Sequence, residues 1–138
     1  MVLNDLDDVI DRWVRQADHD LDNAKKNLDI EAYDVCLILC EQAVEKMLKS
    51  LYIKERQEEP PRTHSLRKLI ELTDMQDDAL KLVAELDSYY LVLRYPDIGD
   101  IVPYENVDRE DAEDGIDKAE QIMEFVKNKL QRGGIDGI

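Results

Sequence analysis

The stretch "YDVCLILCEQAVEKMLKSLYI", residues 33–53, decides the fold. Its apolar residues fall at Tyr33, Cys36/Leu37, Cys40, Ala43/Val44, Met47/Leu48 and Leu51/Tyr52, the three- and four-residue steps of one helix face. Val35, Ile38 and Leu39 widen that face until the front half of the helix reads as buried on more than one side. Such a surplus predicts a central place in a bundle or an interface between two copies of the chain. Glu41, Gln42, Glu45, Lys46 and Lys49 make up the polar side, and Glu45 precedes Lys49 by four residues, the favourable order for a helix-surface ion pair. The helix is expected over about 31–55.

Working outward, Leu6, Val9/Ile10, Trp13/Val14, Ala17, Leu21, Ala24 and Leu28 form an apolar stripe that predicts a first helix over about 5–28. Downstream, "RQEEPPRTH" (56–64) is a loop, because Pro60-Pro61 cannot continue a helix. Thr63 or Ser65 then caps a short helix carrying Leu66, Leu69, Ile70 and Leu72. A fourth helix starts near Asp77, runs through Leu80, Val83, Leu86, Tyr90 and Leu93, and must stop at or before Tyr95, since Pro96 disfavours helical geometry there. The last helix is expected over about 109–131, with Ala112, Ile116, Ala119, Met123, Val126 and Leu130 inward and Gly133-Gly134 as its stop. The chain therefore reads as all-α, an antiparallel up-and-down four- to five-helix bundle. One domain is expected over 1–132, with a flexible tail over 133–138.

Composition narrows the function. With 43% hydrophobic and 37% charged residues the chain is neither disordered nor membrane-embedded, and no apolar run approaches the roughly 18 residues of a membrane span. "MVLNDLDDVIDRW" opens with acids rather than lysines, unlike a signal peptide, so a cytoplasmic location is expected. Cys36 and Cys40 are four apart on a helix, and neither His19 nor His64 has ligand-like spacing to them. Buried thiols, and no metal or cofactor, are the expectation. His19 lies among acids and reads as solvated. Net charge is −15, which repels nucleic acid at long range. Yet Lys46 to Lys68 holds seven basic residues against three acids, either ordinary solvated helix faces or a local anion-binding surface.

Four pieces in order resemble the HEPN domain family (higher eukaryotes and prokaryotes nucleotide-binding). They are "WVRQADHDLDNAKKNL", the stretch at 33–53, "PPRTHSLRKLIEL" and "YYLVLRYPD", together spanning about residues 11–97. The resemblance implies a helical bundle that forms a two-fold homodimer and contacts nucleotide or RNA in the cleft between protomers. It also implies a minimal nucleotidyltransferase as partner, in a toxin–antitoxin or similar pairing. Active members are metal-independent RNases with a histidine four to six residues beyond an arginine. The arginine stabilises phosphate charge and the histidine moves a proton for attack by the ribose 2′-hydroxyl.

Arg94 matches the family arginine by position, but residues four to six beyond it are Ile98, Gly99 and Asp100, and no histidine follows His64. Tyr95 stands where a small polar residue is usual. The primary expectation is a non-catalytic nucleotide- or RNA-binding module. Arg94, Lys46, Lys49, His64 and Arg67 are its candidate phosphate-binding residues, with Glu45, Tyr95 and Asp97 in support. One alternative is a metal-independent, toxin-like RNase in which His64 works with Arg94. Another is a purely structural interaction protein in which Arg94 pairs with an acid such as Asp97 or Asp87.

Overall fold

The computed structural model describes residues 3–75, 77–96, 100 and 102–135. Those residues form α1 (Leu3–Asp29), α2 (Tyr33–Arg56), α3 (Leu66–Leu72), α4 (Asp77–Val92) and α5 (Arg109–Ile135), with a 3-10 turn at Pro103–Asn106. There is no strand among them, and no helix is long and apolar enough to cross a membrane.

The first reversal takes three residues, so α1 and α2 pack antiparallel. Glu31 adopts the left-handed region at φ 64°. The turn returns Ala32 N–H to the Asn27 carbonyl at 2.8 Å and Glu31 N–H to that of Leu28 at 3.1 Å, so the orphaned carbonyls of α1 are satisfied. The end of α2 uses the same device. Gln57 sits at φ 55°, and its N–H bonds the Ile53 carbonyl at 2.8 Å. The helix is thus closed before Pro60 is reached.

Helix α2 touches each of the other four helices. Leu37, Met47, Leu48, Leu51 and Ile53 are fully buried, as are Cys36 and Cys40, both free thiols. This central place accounts for the surplus apolar residues: Ile38 and Leu39 pack against the core, while Val35 stays partly exposed. Helix α5 lies close against α2 because Ala112, Gly115 and Ala119 bring no bulk to the contact. A side chain at Gly115 would place its Cβ 2.4 Å from Cδ2 of the buried Leu37.

Two boundaries matter for the site. Helix α4 ends at Val92, with Leu93 N–H still bonded to the Tyr89 carbonyl at 3.0 Å. Arg94 therefore sits in the turn just past the helix, two residues ahead of Pro96. At the other end, α5 does not stop at the glycine pair but runs through it to Ile135. Glycine costs a helix only about 1 kcal/mol relative to alanine, and it terminates one only when it takes the left-handed conformation. Residues 136–138 of the expected tail lie outside the described residues.

Gly115→Val should be destabilising by about 1–3 kcal/mol, since overpacking at this contact outweighs any gain in helix propensity. Urea unfolding monitored by circular dichroism measures it. An unchanged midpoint would show that α5 does not approach α2 this closely.

Candidate functional site

The polar side of α2 is not a solvent-facing side. Glu41, Glu45 and Lys49 stand at successive turns of one stripe and are 1%, 8% and 7% exposed. A helix enclosed by four others has little open surface, so charges placed on it must find partners inside the bundle.

Two segments supply them. From the turn after α4, Arg94 Nη1 donates to Glu41 Oε1 at 2.9 Å. From the loop before α3, His64 Nδ1 lies 3.1 and 3.3 Å from the two oxygens of Glu45. An ionised carboxylate only accepts, so the proton sits on Nδ1. Glu45 Oε2 also accepts from Lys49 Nζ at 2.9 Å, and that ammonium lies 5.9 Å from the centre of the Trp13 ring on α1. The stripe thus gathers an arginine, a histidine and a lysine onto two carboxylates one turn apart.

Asp87, on α4, fixes the segment that carries His64. Its carboxylate accepts from the backbone N–H of Leu66 at 2.7 Å, from Ser65 Oγ at 3.3 Å and from Arg67 N–H at 3.4 Å. Ser65 is the N-cap of α3, its hydroxyl accepting from Lys68 N–H at 3.2 Å, and Thr63 Oγ1 accepts from Ser65 N–H at 3.1 Å. The "THSL" turn is therefore pinned to α4 and capped from within. Asp87, one of the acids expected to pair with Arg94, is committed to this cap, and Glu41 pairs with the arginine.

The sequence candidates separate accordingly. Arg94, His64, Lys49 and Glu45 come together on the α2 stripe. Lys46 is directed to the buried Asp20 of α1, which Gln16 also contacts at 3.0 Å. Arg67 is exposed on α3, and among the described residues its backbone N–H is what joins the network. Tyr95 is 49% exposed, and Asp97 lies outside the described residues. His19 is exposed and within 3.1 Å of Asn23. The basic window is thus divided: Lys46 and Lys49 are paired to acids and Arg56 donates to the Leu72 carbonyl at 2.9 Å, while Arg62, Arg67 and Lys68 are exposed. No group of three or more metal-ligating side chains occurs among the described residues. A groove between α1 and α5 is lined by Asp18, Asp22, Glu120 and Glu124 with two lysines already paired across it, which suits no anion.

Glu41 is the site residue that sequence reasoning missed, and Asp87 was expected at Arg94 rather than at the start of α3. The available signal was the position of Glu41, four residues before Glu45 on a helix with too much apolar surface to leave that face in water. Burial pushes the Glu41 carboxyl up to about 7, the pull of Arg94 opposing this and repulsion from Glu45 and Asp87 adding to it. Its second oxygen, Oε2, accepts no hydrogen bond among the described residues.

An all-α bundle that holds an arginine, just past its fourth helix, on a buried acid of its second helix is the class that fold and site define. The chain belongs to the HEPN domain family, whose pattern it matches over residues 10–129. It is similar to ST0689, an archaeal HEPN homologue, at 32% identity and TM-score 0.75, covering 88% of this chain and 97% of that one. It is also similar to TT1696 from Thermus thermophilus, at 30% identity and TM-score 0.80, covering 87% and 97% of the two chains. No functionally curated protein matches.

The raised Glu41 carboxyl has a stability consequence of definite sign. Between its ordinary value of 4.5 and about 7 the folded chain holds a proton at Glu41 that the unfolded chain has lost. Stability from this group is therefore greatest below the lower value, declines as pH rises through the window and is flat above it. Urea unfolding of the unmodified protein and of Glu41→Gln across this range should diverge, the unmodified protein losing on the order of 3 kcal/mol relative to the variant. Parallel profiles would contradict the assignment.

Proposed function

We propose that this HEPN-family bundle is a non-catalytic binding module. It receives a nucleotide or RNA phosphate at Arg94, in a cleft between two protomers, and works beside a minimal nucleotidyltransferase. The observation that carries this reading is the convergence of Arg94 and His64 from two separate segments onto adjacent acids of one α2 stripe. Arg94 keeps a fifth of its side chain exposed and His64 more than half, so both reach the surface while the carboxylates that hold them do not. A guanidinium fixed by a buried acid is oriented before a ligand arrives, and a planar fork matches a phosphate.

The non-catalytic reading is supported by the sequence. The family histidine positions are Ile98, Gly99 and Asp100. A second reading, a metal-independent RNase using Arg94 and His64, is favoured by the Glu45–His64 contact at 3.1 Å. A carboxylate on Nδ1 fixes the imidazole tautomer, as acid–base catalysis requires.

With a net charge of −15, the chain favours small anionic ligands and basic protein surfaces over long RNA. Association with a basic partner should weaken markedly as salt rises, the expected result in a titration by light scattering or calorimetry. Salt-insensitive assembly would point to an apolar interface instead.

Titration with adenosine nucleotides and a short oligoribonucleotide tests the site. Loss of a charged hydrogen-bonding group costs about 1.5–3 kcal/mol, so Arg94→Ala should weaken binding tenfold or more. A variant carrying both Glu41→Leu and Arg94→Met, which removes both buried charges together, should bind as poorly while remaining folded. Unaltered affinity in either variant, or no binding by the unmodified chain, would leave Arg94 a structural residue. Cleavage of the oligoribonucleotide, abolished by His64→Ala, would establish the RNase reading.

A further inference from the structure

The Arg94–Glu41 pair poses a problem for any anion that approaches it. The guanidinium a phosphate would use already donates to Glu41 Oε1 at 2.9 Å. Glu41 cannot turn away into water, because it is 1% exposed and sits on the central helix. Phosphate and carboxylate would then face each other across one cation, inside a site that already holds a surplus of negative charge.

We infer that a phosphate-bearing ligand binds at Arg94 together with one proton taken up on the buried Glu41 carboxyl. The inference rests on the phosphate-contact reading and adds its regulation, a site whose affinity is set by pH near neutrality.

The groups facing Glu41 make this the economical course. Arg94 reaches it from the turn after α4, Glu45 stands one turn further along α2, and Asp87 acts on it from α4 itself. Glu45 is partly offset by Lys49 at 2.9 Å and by His64 at 3.1 Å, and Asp87 is held by the start of α3. Within the pair, Arg94 is the sole cation that the structure sets on Glu41 among the described residues. Adding an anion there without adding a proton would leave one guanidinium between two negative groups of low exposure, with one buried charge uncompensated. Protonation removes that conflict. It also changes the role of Glu41 Oε2, which accepts no hydrogen bond among the described residues: a neutral carboxyl can donate where a carboxylate can only accept. Burial has already brought the group to about 7, so the proton is taken up with little change in pH.

The sign of the linkage is fixed. The ligand binds the protonated form, so affinity is level below about pH 6 and falls toward tenfold per unit above neutrality. A short oligouridylate is the probe, because its phosphodiesters do not titrate in this range. Calorimetry of the unmodified protein near pH 8, in two buffers of different ionisation enthalpy, should report uptake of close to one proton. Glu41→Gln should bind with nearly pH-independent affinity, whereas His64→Gln should keep the pH dependence. Binding without proton uptake, or a pH dependence that survives in Glu41→Gln, would overturn the inference and leave the phosphate contact standing. Loss of the pH dependence in His64→Gln would assign the proton to the imidazole and likewise overturn it. No binding at any pH would overturn the inference and the phosphate contact together.

Discussion

A carboxylate inside a helical bundle needs a cation, and this constraint shapes the site. Glu41 lies on the helix that every other helix packs against, and it is 1% exposed. Burying such a charge without a partner costs several kcal/mol, so the chain after α4 must return to α2 and deliver Arg94. The turn at 93–96 follows from that requirement as much as from Pro96. Proline stops the helix, and Glu41 determines where the arginine then goes.

The same logic extends one turn along the stripe. Glu45 takes Lys49 from its own helix and His64 from the loop before α3, while Asp87 on α4 caps that helix and fixes the loop. Three acids, all from the two helices α2 and α4, thus position the turns that carry Arg94 and His64. Packing sets the scale on which these groups meet. Ala112, Gly115 and Ala119 let α5 lie close on α2, and α1 closes the other side with Trp13 against Lys49. Charge pairing is local throughout, and the net −15 of the chain persists at long range. Arg94 therefore presents its positive charge only over a few ångströms.

The fold was legible in the sequence because helix periodicity and proline carry it. The stripe from Tyr33 to Tyr52, the Pro60-Pro61 loop and the stop before Pro96 place four of the five helices within a few residues. The end of α5 was not legible, since a glycine pair can either cap a helix or continue one, and here it continues to Ile135. The site was half legible. The positions of Arg94 and His64 stood out from the family resemblance. Their partners did not, because a sequence marks Glu41 as polar and polar residues are assigned to the surface by default. The crowding of α2 by four helices, which turns that surface into interior, is a tertiary property. Lys46 shows the converse: its neighbours in sequence suggested a shared basic patch, but the face it occupies belongs to α1 and Asp20.

The central claim is that Glu41 and Arg94 act as one unit. A double-mutant cycle measures it directly, using urea unfolding of the unmodified protein, Glu41→Gln, Arg94→Gln and the double variant at about pH 8, where the carboxyl is charged. The account predicts a coupling energy of about 1–3 kcal/mol, the double variant being far less destabilised than the two single effects together imply. Additive effects within about 0.5 kcal/mol would contradict it, because two residues that do not sense each other cannot share a proton or a ligand.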